Sequence, residues 1–306
     1  MNRKQRKVWL IAAWMCGALA AAAAPAPITR NSEAASDEKL ALSATRHAAS
    51  NLELGGELAG VPPGSTRYVA LDTLLALPLE TYTVNDDPDF APGTKISGVA
   101  LEKLAQMLGA GPSSDMVVAI CDDKYRANYS RAYIAAHHPL LVLRVDGEAP
   151  SRWPKDPETH KYDMGPYMIS HPQFTPRFRV LSHSDEAQIP WGVVRLEFRD
   201  EKTVMGAIAP RGPHAMEEAV QQGYRIAQQN CYRCHNAGSE GGQKSGRPWL
   251  VLAAWAQSDP NYFTDYVRDP KKRNEHAEMP ANRGYDGATI AALREYFATF
   301  IAPEKP

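Results

Sequence analysis

Cys231-Tyr232-Arg233-Cys234-His235 decides how the last third of this chain is read. Two thiols stand two residues apart and an imidazole follows directly, which is the spacing by which haem c is attached covalently. One helical turn brings both sulfurs to the two vinyl groups of a porphyrin, and His235 then presents a ring nitrogen to the iron. A Cys-x-x-Cys pair also serves as a redox dithiol or as half of a zinc site, but zinc wants a second Cys/His pair and none follows. The expectation is one haem, held by Cys231 and Cys234 and ligated by His235.

Residues 217–229, upstream of the motif, place Val220, Gly223, Tyr224 and Ala227 on one stripe, so a helix should deliver it. Downstream, Gly238, Gly241, Gly242 and Gly246 mark a loop. Trp249 to Ala256 and Asn261 to Arg268 read as short helices, with Asp259-Pro260 opening the second. Asp286 is a candidate N-cap for a last helix that carries Ile290, Leu293, Phe297 and Phe300 and halts before Pro303.

This all-α stretch, residues 214–302 of a domain drawn as 214–306, resembles the small class I cytochromes c. The resemblance implies that Gly223 lets the first helix cross the last closely, against Tyr296 or Phe297. It implies that Pro248 offers its carbonyl to the second ring nitrogen of His235, and that Met279 is the distal iron ligand, with His276 or an open site as the alternatives. A bond to the far N–H of the imidazole fixes its tautomer, and a thioether favours ferrous iron. With both axial positions filled, the iron exchanges electrons rather than binding substrate. Lys271-Lys272-Arg273 either steers an acidic partner toward the haem or is a solvated turn.

The first half has a different texture. Leu52 and Leu54 alternate with polar residues before turn signals at Gly55-Gly56 and residues 61–64, and Tyr68-Val69 and Thr81 to Val84 read as short strands. Asp72 is a candidate cap for a brief helix through Leu77, and residues 98–108 form the firmest helix, with Gly109 in its C-terminal capping position. Met116 to Cys121 is a continuous apolar run suited to a buried strand, Tyr125 to Tyr133 alternates aromatics, and Leu140 to Val145 enters a tight turn at Asp146-Gly147. His137-His138 before Pro139 is read as a turn rather than a metal pair.

Residues 151–176 carry five prolines and read as one long loop. Asp163 to Tyr167 and His171 either line a binding surface or pack over the sheet, and Asp156 to Tyr162 is a solvated rim. Val193 to Phe198 is the last strand, and Ala209-Pro210-Arg211-Gly212-Pro213 breaks the pattern.

Gly98-Val99-Ala100-Leu101, the strand at Val117, Asp122 with Tyr125, and Leu140 to Gly147 followed by Glu148-Ala149-Pro150 come in an order that resembles the α+β molybdopterin-binding domain of the sulfite oxidase type, over residues 51–200. In that family a thiolate from an early strand-loop holds the metal, and here Thr81 to Asp89 has no cysteine. Cys121 is the one candidate molybdenum ligand. It ends an apolar run and precedes two aspartates, which suits a buried small hydrophobe better than a thiolate. A domain without molybdopterin is expected.

The chain has 306 residues, 44% hydrophobic and 23% charged, room for two ordinary cores. Arg3, Lys4, Arg6 and Lys7 precede an uncharged Ala/Leu-rich run to Ala24, which reads as an export signal over residues 1–24, cleaved between Ala20 and Ala26 or retained as an anchor. Losing it removes four positive charges and no negative ones, taking the formal charge from -1 to about -5 and disfavouring nucleic acid as a partner. Cys16 leaves with the signal, so Cys121 has no mate for a disulfide.

The expected plan is a signal at 1–24, a flexible leader at 25–50, an α+β domain at 51–206, a linker at 207–213 and the haem domain. The function expected is periplasmic electron transfer, with the α+β domain docking a dehydrogenase donor and a cytochrome or oxidase as acceptor. The rival is a molybdenum oxidoreductase that feeds its own haem.

Overall fold

A computed structural model describes residues 40–157 and 160–301, all within one compact unit. The expected signal and most of the expected leader lie outside these residues. Among those described, no helix is long and apolar enough to cross a membrane.

The N-terminal region is α+β. In chain order it holds β1 (Leu52–Gly56), β2 (Arg67–Val69), α1 (Leu71–Leu75), β3 (Glu80–Val84), β4 (Thr94–Ala100) and α2 (Leu101–Met107). Next come β5 (Met116–Cys121), β6 (Arg126–Ser130), α3 (Arg131–His137), β7 (Leu140–Val145) and β8 (Tyr167–Ser170). The small hairpin β9 (Arg179–Val180) and β10 (His183–Ser184), then β11 (Trp191–Arg199) and α4 (Glu201–Gly206), complete it. One sheet runs β2-β1-β11-β8-β7-β4-β3, and it forks at β11, whose other edge pairs with β5 and through it with β6. Only β1 and β11 run parallel in this sheet.

Several local expectations change on folding. Residues 40–50 are not wholly a free leader: Ser43 and Tyr68 exchange two backbone hydrogen bonds of 2.9 Å, and the Tyr167 hydroxyl donates to the Ser50 carbonyl at 2.7 Å. The α1 N-cap is Ala70, with Asp72 in the first turn, and residues 98–100 belong to β4 because they pair with β7. The aromatic run after Tyr125 splits at Ser130, whose hydroxyl accepts from the Tyr133 N–H and starts α3. The expected loop at 151–176 contains β8, a fully buried strand between β7 and β11, masked in the sequence by Pro166 and Pro172 on either side. Asp156 is buried rather than a solvated rim residue, because its carboxylate accepts the N–H groups of Lys161 and Tyr162.

The C-terminal region is helical: α5 (Glu218–Asn230), a tiny hairpin of β12 (Asn236–Ala237) and β13 (Glu240–Gly241), then α6 (Trp249–Ser258), α7 (Pro260–Arg268) and α8 (Gly287–Ala298). Asp259 and Asp286 cap α7 and α8 through the N–H groups of Tyr262 and Thr289. Helices α5 and α8 cross at Gly223, where an added Cβ would lie 2.1 Å from the Ala292 carbonyl oxygen and 2.7 Å from the Tyr296 Cβ. The partner on the last helix is thus Ala292 with Tyr296.

The two regions share a core. Val117, Ala119 and Cys121 of β5 face the α+β interior, while Met116 and Val118 join Val204, Ile208, Ile226, Trp249 and Phe297 on the other side. A strand buried on both faces needs a continuous apolar run, which β5 has. Ile208, in the stretch expected to be a linker, is fully buried, and its carbonyl accepts from the Tyr296 hydroxyl.

Gly223→Val should lower stability by about 3 kcal/mol through overpacking. Urea unfolding at equilibrium reads this as a lower midpoint, and an unchanged midpoint would show that the helices do not cross there.

Candidate haem site

Helix α5 runs directly into the motif. The N–H groups of Cys231 and Tyr232 both reach the Ala227 carbonyl, and the N–H groups of Cys234 and His235 reach the Cys231 carbonyl. The five residues therefore form a helical turn, as the spacing predicts, and neither thiol is in a disulfide. Burial pushes the Cys231 thiol up to about 12 and raises that of Cys234, so both are protonated at neutral pH.

The remaining backbone of the motif is gripped from two sides. From the helical region, Gly242 approaches so closely that an added Cβ would lie 1.7 Å from the Arg233 carbonyl oxygen. Its N–H donates to the Tyr232 carbonyl at 2.9 Å, and the Ser245 N–H donates to that of Cys234 at 2.9 Å. From the α+β region, the Arg126 N–H donates to the Arg233 carbonyl at 2.9 Å, Lys124 offers its carbonyl to the Gln243 N–H, and Asp123 pairs with Lys244. Tyr232 is fully buried, its hydroxyl on the Val204 carbonyl at 2.7 Å.

His235 is 9% exposed, and its Nδ1 lies 2.7 Å from the Arg247 carbonyl oxygen. A carbonyl only accepts, so Nδ1 carries the hydrogen and Nε2 keeps its lone pair. Burial also holds the proton affinity of the ring below that of an ordinary histidine. This corrects the expectation for Pro248. Its carbonyl accepts the Val251 N–H at 2.8 Å in the first turn of α6, and the carbonyl one residue earlier, that of Arg247, meets His235 instead.

Met279 is half-buried on the segment between α7 and α8. That segment is tied down where Asn282 bonds the Val267 carbonyl through its N–H and its side-chain amide, and where Arg268 donates to the Tyr285 carbonyl. The His276 side chain is 85% exposed beside Glu275, which removes it as a buried ligand. Lys271 and Lys272 are exposed, and Arg273 pairs with Asp265. Two thiols on one turn, a neutral imidazole with a free Nε2 and a thioether on a separate tethered segment are a donor set that fits haem c.

Cys121 faces the α+β core, 4% exposed. Burial first, then Asp123 and Asp122, push its thiol far up. Such a thiol is a poor metal ligand. Asp163 pairs with Lys155 at the surface, Met164 and His171 are buried and Tyr167 belongs to β8 itself, so these residues do not line one binding surface.

Sequence reasoning missed the ion network across the two regions. Glu240 of β13 takes Arg199 at 2.6 Å and Arg126 at 3.2 Å, and Glu197 takes Arg199 at 2.9 Å and Arg126 at 3.5 Å. The alternation Arg195, Glu197, Arg199 on one face of β11 was a visible signal, but its counter-charge lies 41 residues further on.

Residues 218–297, from α5 to within α8, match the family model described as "Cytochrome C oxidase, cbb3-type, subunit III". The C-terminal region is a cytochrome c domain, a class that carries haem c and transfers electrons. No curated protein matches the chain. Among solved structures, the sulfane dehydrogenase SoxCD from Paracoccus pantotrophus is similar over 56% of this chain and 45% of its own, at 14% identity and a TM-score of 0.33. The match thus spans less than half the length of that solved chain.

Glu240→Gln should cost about 3 kcal/mol by leaving two largely buried guanidinium groups short of a partner, measured by urea unfolding at neutral pH. Burial alone would raise the Glu197 carboxyl, but Arg195, Arg199 and Arg126 together hold it below its usual 4.5. Its stabilisation is therefore fully present above that pH and lost as pH falls through the lowered value. Stability measured across this acid range should fall less steeply in Glu197→Gln than in the parent.

Proposed function

We propose that this protein is an exported, periplasmic monohaem cytochrome that carries electrons from a dehydrogenase to a cytochrome or oxidase. Cys231 and Cys234 would tether the haem through their sulfurs, and His235 Nε2 and the Met279 sulfur would ligate its iron. Bound there, haem supplies one-electron exchange.

The observation that carries this reading is the His235 hydrogen bond of 2.7 Å to the Arg247 carbonyl. It fixes the tautomer and aims Nε2 without any titratable partner, so the imidazole remains a neutral ligand through the redox cycle. Trp249, Tyr285 and Phe297 belong to the buried cluster against which Cys231 packs, and that cluster keeps water from this side of the motif. On this reading the α+β region is the docking module for the donor, and the edge strand β3, paired only with β4, offers Thr81 and Thr83 to solvent. The buried, strongly protonated Cys121 speaks against the molybdenum alternative.

The matured protein should contain one covalent haem and one iron per chain, without molybdenum. Its oxidised form should show a far-red sulfur-to-iron absorption band that is lost in Met279→Ala. Mass spectrometry, elemental analysis and the spectrum check this together, and the mature N-terminus should fall within or just after residues 20–26. Stoichiometric molybdenum that is lost in Cys121→Ser would overturn the reading in favour of an oxidoreductase feeding its own haem.

A further inference from the structure

Arg233 stands between the two thiols of the attachment motif, yet its guanidinium is buried among residues of the α+β region, with the side chain 13% exposed. Its partners are sparse. One Nη reaches the Ala187 carbonyl oxygen at 3.5 Å, the other faces the Glu186 carboxylate at 3.7 Å, and Tyr125 is close enough to act on the charge. The Nε–H is buried with no partner. Glu186 is the nearest acid, but its side chain is 41% exposed and it also faces His183 at 3.8 Å.

The other groups around this cation add little countercharge. Tyr125, Tyr129 and Tyr133 are phenols whose burial raises them well beyond neutral pH, and His183 is held neutral by burial as the largest influence. Lys244 on the adjoining loop is matched by Asp123. A positive charge that is buried and only partly compensated lowers stability, and a methionine of similar length would avoid that cost. Such a charge acts strongly on its neighbours, because little water screens it.

We propose that Arg233 is a positioning residue for charge: a fixed cation, held beside the attachment motif by the α+β region, that raises the reduction potential of the haem iron. The proposal rests on the reading of the site as a c-type haem. One electron from the donor protein converts ferric to ferrous iron, no proton moves, and the guanidinium remains charged throughout. A nearby positive charge favours the ferrous state because that state carries one positive charge less. In surroundings of effective dielectric near 20, a unit charge of this kind near the iron would shift the equilibrium on the order of tenfold. The α+β region thereby sets the driving force for electron transfer as well as covering the motif.

The test is redox titration of the matured full-length protein, followed optically, in wild type, Arg233→Met and Glu186→Gln. In Arg233→Met the ferrous-to-ferric ratio at a fixed ambient potential should fall on the order of tenfold, about 59 mV in midpoint for one electron. Glu186→Gln, which removes the partial countercharge, should move the midpoint the opposite way. Opposed shifts are not expected of side chains that merely hold the two regions together. The proposal is overturned by an unchanged or raised midpoint in an Arg233→Met protein that retains one covalent haem and the wild-type far-red band. If that variant does not mature, Glu186→Gln decides alone, and an unchanged or lowered midpoint overturns the proposal. A wild-type protein without covalent haem would instead sink the underlying reading, in a separate measurement.

Discussion

The organising constraint is a strand with no solvent face. Because β5 presents Val117, Ala119 and Cys121 to one core and Met116 and Val118 to another, the α+β region and the haem-domain helices cannot separate without exposing apolar surface on both sides. Each fully buried aliphatic side chain contributes roughly 1.5–3 kcal/mol, so even a few such residues hold the two parts together. The short connection at 207–213 is a consequence of that packing, with Ile208 and the Tyr296 hydroxyl closing it.

This shared core places the turn of the β5–β6 hairpin on the haem-attachment motif. Arg126, Lys124 and Asp123 each make a contact there that an isolated cytochrome domain would have to find elsewhere or leave to water. The network of Arg126, Arg199, Glu197 and Glu240 then fixes the relative orientation, since paired guanidinium and carboxylate groups tolerate little displacement when buried. Rigidity of this kind suits a one-electron site, where the ligands must change little between oxidation states.

Much of the candidate haem site was legible because its local structure depends on neighbours in the chain. The Cys-x-x-Cys-His spacing, the caps at Asp259 and Asp286 and the stripe through Gly223 all act within one or two helical turns. Sequence pattern failed where a neighbour in space overrode the local signal. Tyr167–Ser170 became a central strand because two other strands flank it, and the acceptor for His235 is Arg247 because Pro248 commits its own carbonyl to α6.

The amino-acid sequence by itself determined the helical turn that carries Cys231, Cys234 and His235, the helices of the last third and the apolar run of β5, because each depends on residues near one another along the chain. Only the tertiary structure decided that the α+β sheet closes over the haem motif and that Arg233 is buried within it. Those outcomes depend on contacts between residues tens of positions apart, where burial and charge pairing act through space and leave no periodic trace.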